Sequence, residues 1–170
     1  MCAYEVILKR RSIRKYVPEP IERDALIKIL EAARWAPSAG NRQPWYFIVV
    51  KDPELKKEVA KAAANQMFMA DADVIIVGVS NPKASPRWHD KDTMIALEHI
   101  ALVATELGLG TCWIGAFNEE KVKKILEIPD DLRVVALMPV GVPAETPGPR
   151  PRKSLEEIVF LDKFKKKFEI

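Results

Sequence analysis

Arg10-Arg11-Ser12-Ile13-Arg14 and Pro37-Ser38-Ala39-Gly40-Asn41-Arg42-Gln43-Pro44-Trp45 are the stretches of this chain best equipped to handle a ligand. Arginine presents a planar fork that matches phosphate oxygens, and Ser12 adds a neutral donor among three such forks. A second basic pair, Arg150 and Arg152, stands in a stiff proline-rich segment. Two distant basic segments closing on one phosphate would make an economical anion site. Taken alone, the first cluster also reads as a solvated basic face. The loop offers donors and acceptors in Ser38, Asn41 and Gln43, and Gly40 permits positive φ. Such groups can read the edge of a heterocycle, or merely cap backbone groups where a helix stops and a strand begins. As a pair, cluster and loop point to a pocket for a large, flat, phosphorylated ligand.

A third stretch, Leu107 to Phe117, is rich in glycine and small residues, which permits close backbone approach to a flat ligand. Gly108 and Gly110 are not a dinucleotide fingerprint, because they follow a helix instead of opening one after a strand. The same residues also suit a tight helix-to-strand connection. His89, Asp90, Asp92 and His99 match no metal-ligand spacing, so no metal is expected. No Gly-x-Ser-x-Gly, His-Glu-x-x-His or Walker loop is present. Cys112 has no basic partner close in sequence and reads as a packing residue.

The elements that must position these residues follow from hydrophobic spacing. A short helix over 3–10 leads into the arginine cluster, and 17–20 is a proline-bounded break. Leu26, Ile29, Leu30 and Ala33 predict a helix over 21–35, with acids early and Arg34 late as the helix dipole prefers. Residues 45–50 form an apolar, β-branched strand. Asp52-Pro53 opens a helix through about residue 65. A central strand covers 74–79, a proline-containing loop 81–90, and a helix 92–107 ended by Gly108. A strand-like piece at 111–116, a helix at 119–126 and a strand at 134–140 complete the alternation, which argues α/β or α+β layering.

Bulk properties bound the reading. The chain has 170 residues, 48% hydrophobic and 30% charged, so it can bury a real core in one domain. A net charge of +3 permits anionic ligands without announcing nucleic-acid binding. Two cysteines do not make a disulfide framework, the N-terminus lacks a signal-peptide layout, and no apolar run spans a membrane. The expectation is a cytoplasmic protein with no nucleic-acid and no membrane partner.

In order along the chain, Arg10–Arg14, Pro37–Trp45, Leu107-Gly108 through Trp113-Ile114-Gly115-Ala116, and Arg150-Pro151-Arg152 resemble the nitroreductase family of flavin-dependent oxidoreductases. The resemblance implies a homodimeric α+β fold around a central, mostly antiparallel sheet flanked by helices. It implies FMN bound at the dimer interface and NADH or NADPH as electron donor. The implied chemistry is ping-pong transfer to a nitroaromatic, quinone or related small-molecule acceptor. Flavin remodelling, dehalogenation or dehydrogenation on the same fold is the alternative, and a non-redox phosphate-binding module is a further one. By resemblance, Arg10, Arg11, Ser12 and Arg14 meet the phosphate, ribityl chain and one ring edge, and Arg150 and Arg152 close on the phosphate. Pro37, Ser38, Ala39 and Asn41 would reach the flavin of the other subunit. Asn65 would meet the pyrimidine side, and Trp113, Ile114, Gly115 and Ala116 would lie along the flavin face. No catalytic side chain is implied, since the chemistry belongs to the cofactor.

Three features depart from the family pattern. Phe68 replaces a lysine found in larger members, so a charge beside the pyrimidine would fall to Arg14. The acidic residue that larger members carry in the Trp113–Ala116 segment is absent, and a frequent glutamine-asparagine pair is here Glu98-His99. The domain is expected to cover 1–170, with 143–170 an extended C-terminal segment packing on the partner subunit. Within it Phe160, Phe164 and Phe168 fall at helical spacing with Lys163, Lys165, Lys166 and Lys167 between them, which predicts an aromatic stripe with a cationic back.

Overall fold

The computed structural model describes residues 1–169. At its centre is β3, Val74–Ser80, whose every residue is buried. It runs antiparallel to β2, Trp45–Val50, on one side and to the long β5, Arg133–Pro143, on the other. Two short strands pair antiparallel with the far end of β5: β1, Tyr16–Val17, and β4, Gly110–Thr111. The expected mostly antiparallel sheet is therefore present, and its order is β1-β5-β3-β2 with β4 beside β5.

Both faces of this sheet are covered, which explains the continuous apolar runs. Successive strand side chains alternate between faces. Val74 and Ile76 join Ile29 and Ala33 of α2, Arg23–Arg34, and Leu97 and Ile100 of α4, His89–Glu106. Ile75 and Val77 join Val59 of α3, Pro53–Ala62, and Val122 of α5, Glu119–Ile125, on the opposite face. Each such fully buried aliphatic side chain contributes about 1.5–3 kcal/mol. A Cβ on Gly78 would come within 2.6 Å of Leu97, so α4 lies against the sheet at the distance only glycine allows.

Local chemistry sets the helix boundaries. Asp52 accepts from the Glu54 and Leu55 amides at 3.0 and 2.9 Å, with Pro53 in the first turn, so α3 starts where the sequence predicts. It stops at Ala62 instead of running to residue 65, because Ala64 and Asn65 adopt positive φ. The 92–107 helix begins earlier, at His89. The strand predicted at 111–116 is only β4 plus a backbone pairing of Ile114 with Leu137. The first helix, α1, covers Ala3–Lys9.

The C-terminal segment departs most from expectation. After an extended stretch, only Leu155–Ile158 form a helix, α6. Phe160 pairs with Lys167 across a tight turn in which Asp162 and Lys165 have positive φ. The predicted aromatic helix face is thus not formed. Phe160 and Phe164 instead meet edge to face at 4.9 Å, while Phe164 stays 80% exposed.

Candidate functional site

The arginine cluster sits on the non-helical stretch between α1 and β1. The Ile13 amide donates to the Thr111 carbonyl at 2.9 Å, which lays the segment along β4. Tyr16 supports it from below, its buried hydroxyl donating to the Ile13 carbonyl at 2.8 Å. Burial pushes the Tyr16 phenol well above its ordinary range, so it remains a donor. Phe68 packs against Ile13, Tyr16 and Ala72. Its role here is to prop the arginine segment, not to supply charge.

Arg10, Arg11, Ser12 and Arg14 line a cavity of about 440 Å³, and Arg150 and Arg152 close it from the other side. The two basic segments therefore converge, as their chemistry led us to expect. Arg10 Nη1 and Arg11 Nε are buried without a hydrogen-bond partner. Buried guanidinium nitrogens without a partner are costly unless an anion meets them, and these belong to two arginines that line the cavity, so the donor set fits a phosphate group.

Sequence reasoning missed Glu145, which also lines this cavity. It accepts from the Arg14 amide at 2.6 Å, while the Ala144 amide donates to the Lys15 carbonyl. These bonds pin the start of the proline-rich strap to the arginine segment. The available signal was that Glu145 is the one acidic residue between Pro143 and Arg152.

Cys112 is 1% exposed beneath the same segment. Burial raises its thiol pKa, outweighing the opposing influence of Arg14, a Ser12 hydrogen bond and Arg10. It remains a neutral packing thiol, although folding does bring it the basic neighbours that sequence distance concealed.

The 37–45 loop lies elsewhere on the protomer. Pro37, Ser38 and Ala39 border a separate cavity of about 370 Å³ with Trp88, Asp92 and Ile95. The single chain does not bring the loop to the arginine cavity. Gly40, Asn41 and Gln43 all take positive φ, and the Ser38 hydroxyl accepts from the Gln43 amide at 2.9 Å. Ser38 therefore helps hold the turn and keeps its O–H donor, while Asn41 is exposed and its side chain has no partner among the described residues. Asp92, 2% exposed, receives the Ala39 amide at 3.2 and 3.3 Å and ties the loop to α4.

Trp113–Ala116 is held on several sides. The Trp113 indole donates to Glu98 Oε2 at 3.0 Å, and Ile114 exchanges backbone hydrogen bonds with Leu137 at 2.9 and 3.0 Å. The Ala116 carbonyl accepts from Gln66 Nε2 at 3.4 Å. Gly115 and Ala116 are exposed, and among the described residues their amides donate to no protein group. Asn65 is exposed at positive φ.

Comparison with known proteins places this arrangement. Residues 7–142 match the Nitroreductase family, so the chain belongs to that family. A crystal structure of a nitroreductase family protein from Clostridium novyi NT is 44% identical, covers 99% of this chain and 97% of its own, and superposes with a TM-score of 0.81. An NADH dehydrogenase of Thermus thermophilus is 32% identical over 188 residues, spanning 89% of this chain and 92% of the relative. The NADPH:FMN oxidoreductase from Vibrio harveyi, solved with NAD+, is 26% identical with a TM-score of 0.89 over 95% of this chain and 77% of its own. The fold is the nitroreductase fold.

Proposed function

We infer that this chain is an FMN-dependent NAD(P)H oxidoreductase that passes electrons in ping-pong fashion to nitroaromatic, quinone or related small-molecule acceptors. The observation that carries the reading is the cavity where two distant arginine segments meet and leave buried guanidinium nitrogens unpaired. Relatives named for NADH dehydrogenase and NADPH:FMN oxidoreductase activity support the chemistry.

Arg10, Arg11, Arg14, Arg150 and Arg152 hold the FMN phosphate, with Ser12 at the ribityl chain. FMN, when bound, supplies the hydride chemistry, and the chain supplies position and electrostatics. The free Gly115 and Ala116 amides donate toward the flavin ring along its face, with Trp113 and Ile114 fixing that wall. Asn65 meets the pyrimidine edge. Pro37, Ser38, Ala39 and Asn41 serve the flavin of a second subunit, because their own protomer holds them away from the arginine cavity. The working unit in this reading is a homodimer, and the exposed apolar residues Tyr4, Ile7 and Leu8 of α1 and Met94 and Ile95 of α4 offer surface for it. The 143–169 segment lies on the partner subunit, since Leu155, Ile158, Phe164 and Phe168 find little cover in their own chain. No helix among the described residues is long and apolar enough to cross a membrane, and both cysteines are free, which fits a cytoplasmic enzyme.

The test is direct. Purified protein should be yellow, acid should release FMN, and anaerobic NADH or NADPH should bleach the flavin until an acceptor restores it. A colourless protein that FMN cannot reconstitute would refute the reading.

A further inference from the structure

We propose that Glu98 is a positioning residue that holds Trp113, and through it the Gly115–Ala116 amides, in the orientation that hydride transfer requires. The proposal rests on the reading of Trp113–Ala116 as the wall along the flavin. It goes beyond that reading because it assigns a role to a carboxylate on a different element, the middle of α4.

Four observations carry it. The indole Nε1 is a donor only, and here it donates to a carboxylate at 3.0 Å, a charge-assisted bond stronger than a neutral one. Trp113 is half-buried, whereas Trp35, another indole beside a carboxylate, that of Glu31, is 73% exposed. The remaining anchors of the wall are the Ile114–Leu137 pairing and the Gln66 contact to the Ala116 carbonyl. Neither sets the rotation of the Trp113 ring, so Glu98 is the polar contact that does. Finally, the next residue, His99, directs Nδ1–H to the Ala32 carbonyl at 3.1 Å in α2. Because that carbonyl can only accept, Nδ1 carries the proton. Adjacent residues thus tie α4 to α2 and to the wall, and the wall is referenced to the helical layer instead of hanging from β5 alone. The wall has no acidic residue of its own, and Glu98 brings a carboxylate to it from α4.

The experiment compares Glu98→Ala and Glu98→Gln, each without and with FMN. In FMN-free protein the Trp113 indole N–H resonance, identified by its loss in Trp113→Phe, should move upfield and exchange faster with solvent in Glu98→Ala. Glu98→Gln keeps an acceptor oxygen and should restore most of the shift. In the loaded protein, anaerobic flavin reduction by NADH or NADPH should slow about tenfold in Glu98→Ala, the weight of one charge-assisted hydrogen bond. Glu98→Gln should recover most of that rate. FMN affinity should fall far less than on loss of a phosphate contact, because Glu98 does not line the arginine cavity. In a Trp113→Phe background, Glu98→Ala should slow reduction no further, since the coupling is already gone. This background also keeps the proposal testable if Glu98→Ala alone folds poorly. An unmoved indole resonance overturns the tether. A moved resonance with an unchanged reduction rate overturns its role at the flavin. Failure of the unaltered protein to bind FMN overturns both readings, and is told apart because it appears before any substitution is made.

Discussion

Replacing Arg10 by alanine separates ligand binding from folding in this cavity. Arg10 Nη1 is buried and has no partner in the protein, so the folded chain gains nothing from that nitrogen until an anion arrives. Two effects on the ligand-free protein oppose each other. Removing the guanidinium relieves an unsatisfied donor, worth about 1–3 kcal/mol. Losing the side-chain stem forfeits about 0.8 kcal/mol per methylene that is buried. The net should shift the apoprotein melting temperature by only a few degrees, at roughly 2–4 °C per kcal/mol for a chain of this size. FMN binding, by contrast, loses a charge-assisted contact worth about 1.5–3 kcal/mol, or roughly 10–150-fold in dissociation constant. The assay is quenching of flavin fluorescence on titration into apoprotein, run in parallel with FMN and with riboflavin, which lacks the phosphate. Arg10→Ala should weaken FMN by that factor and leave riboflavin unchanged. Combining it with Arg152→Ala should bring FMN close to the affinity of riboflavin. Equal losses for both ligands, or no loss for FMN, would refute the phosphate assignment.

Further expectations concern the surrounding scaffold. Asp92→Ala should speed hydrogen exchange of the Ala39 amide at least about tenfold, since that amide loses a charged acceptor, whereas Asp92→Asn should largely protect it. Glu119 is held below the usual carboxylate range, first by its Arg133 hydrogen bond and further by the Val134 amide. Its stabilising contribution is therefore fully present above the unfolded-state value of about 4.3 and is lost as pH falls through the lower folded value. Glu119→Gln should lower stability by about 1–3 kcal/mol near neutrality and flatten the acid limb of a denaturation series. Truncation after Asp162 removes Phe164 and Phe168 and should raise the dimer dissociation constant in sedimentation. A dimer of unchanged affinity would refute docking of that segment on the partner.

What the sequence made legible was local, and what it hid was distant. The central strand β3 showed because both faces of the sheet cover it and write it as an unbroken apolar run, whereas β2, read from the same kind of run, is an edge strand with Tyr46 exposed and Phe47–Val49 partly buried. The start of α3 showed because Asp52 and Pro53 act within one turn. The arginine pairs showed as chemistry, but their meeting depends on β1 pairing with the end of β5, a contact between Tyr16 and Pro143 that no spacing announces. Glu145 was overlooked for the same reason, since its partner is the Arg14 amide 131 positions away. The tail misled because spacing by four is necessary for a helical stripe but not sufficient. With few contacts to the body to reward helix formation, the backbone took positive φ at Asp162 and Lys165 and folded the aromatics on each other. The 37–45 loop shows the same limit in a different way. Its polar side chains look like ligand contacts, while the Ser38 hydroxyl also accepts from the Gln43 amide and the loop borders a second cavity. Only its unpaired Asn41 and its exposed position leave it free to meet another protomer. In the homodimer proposed above, the two halves of the flavin site would be written in one sequence and joined by symmetry, and α4 would bear on both. Asp92 fixes the loop that would serve the partner's flavin, and Glu98 fixes the wall that would serve its own.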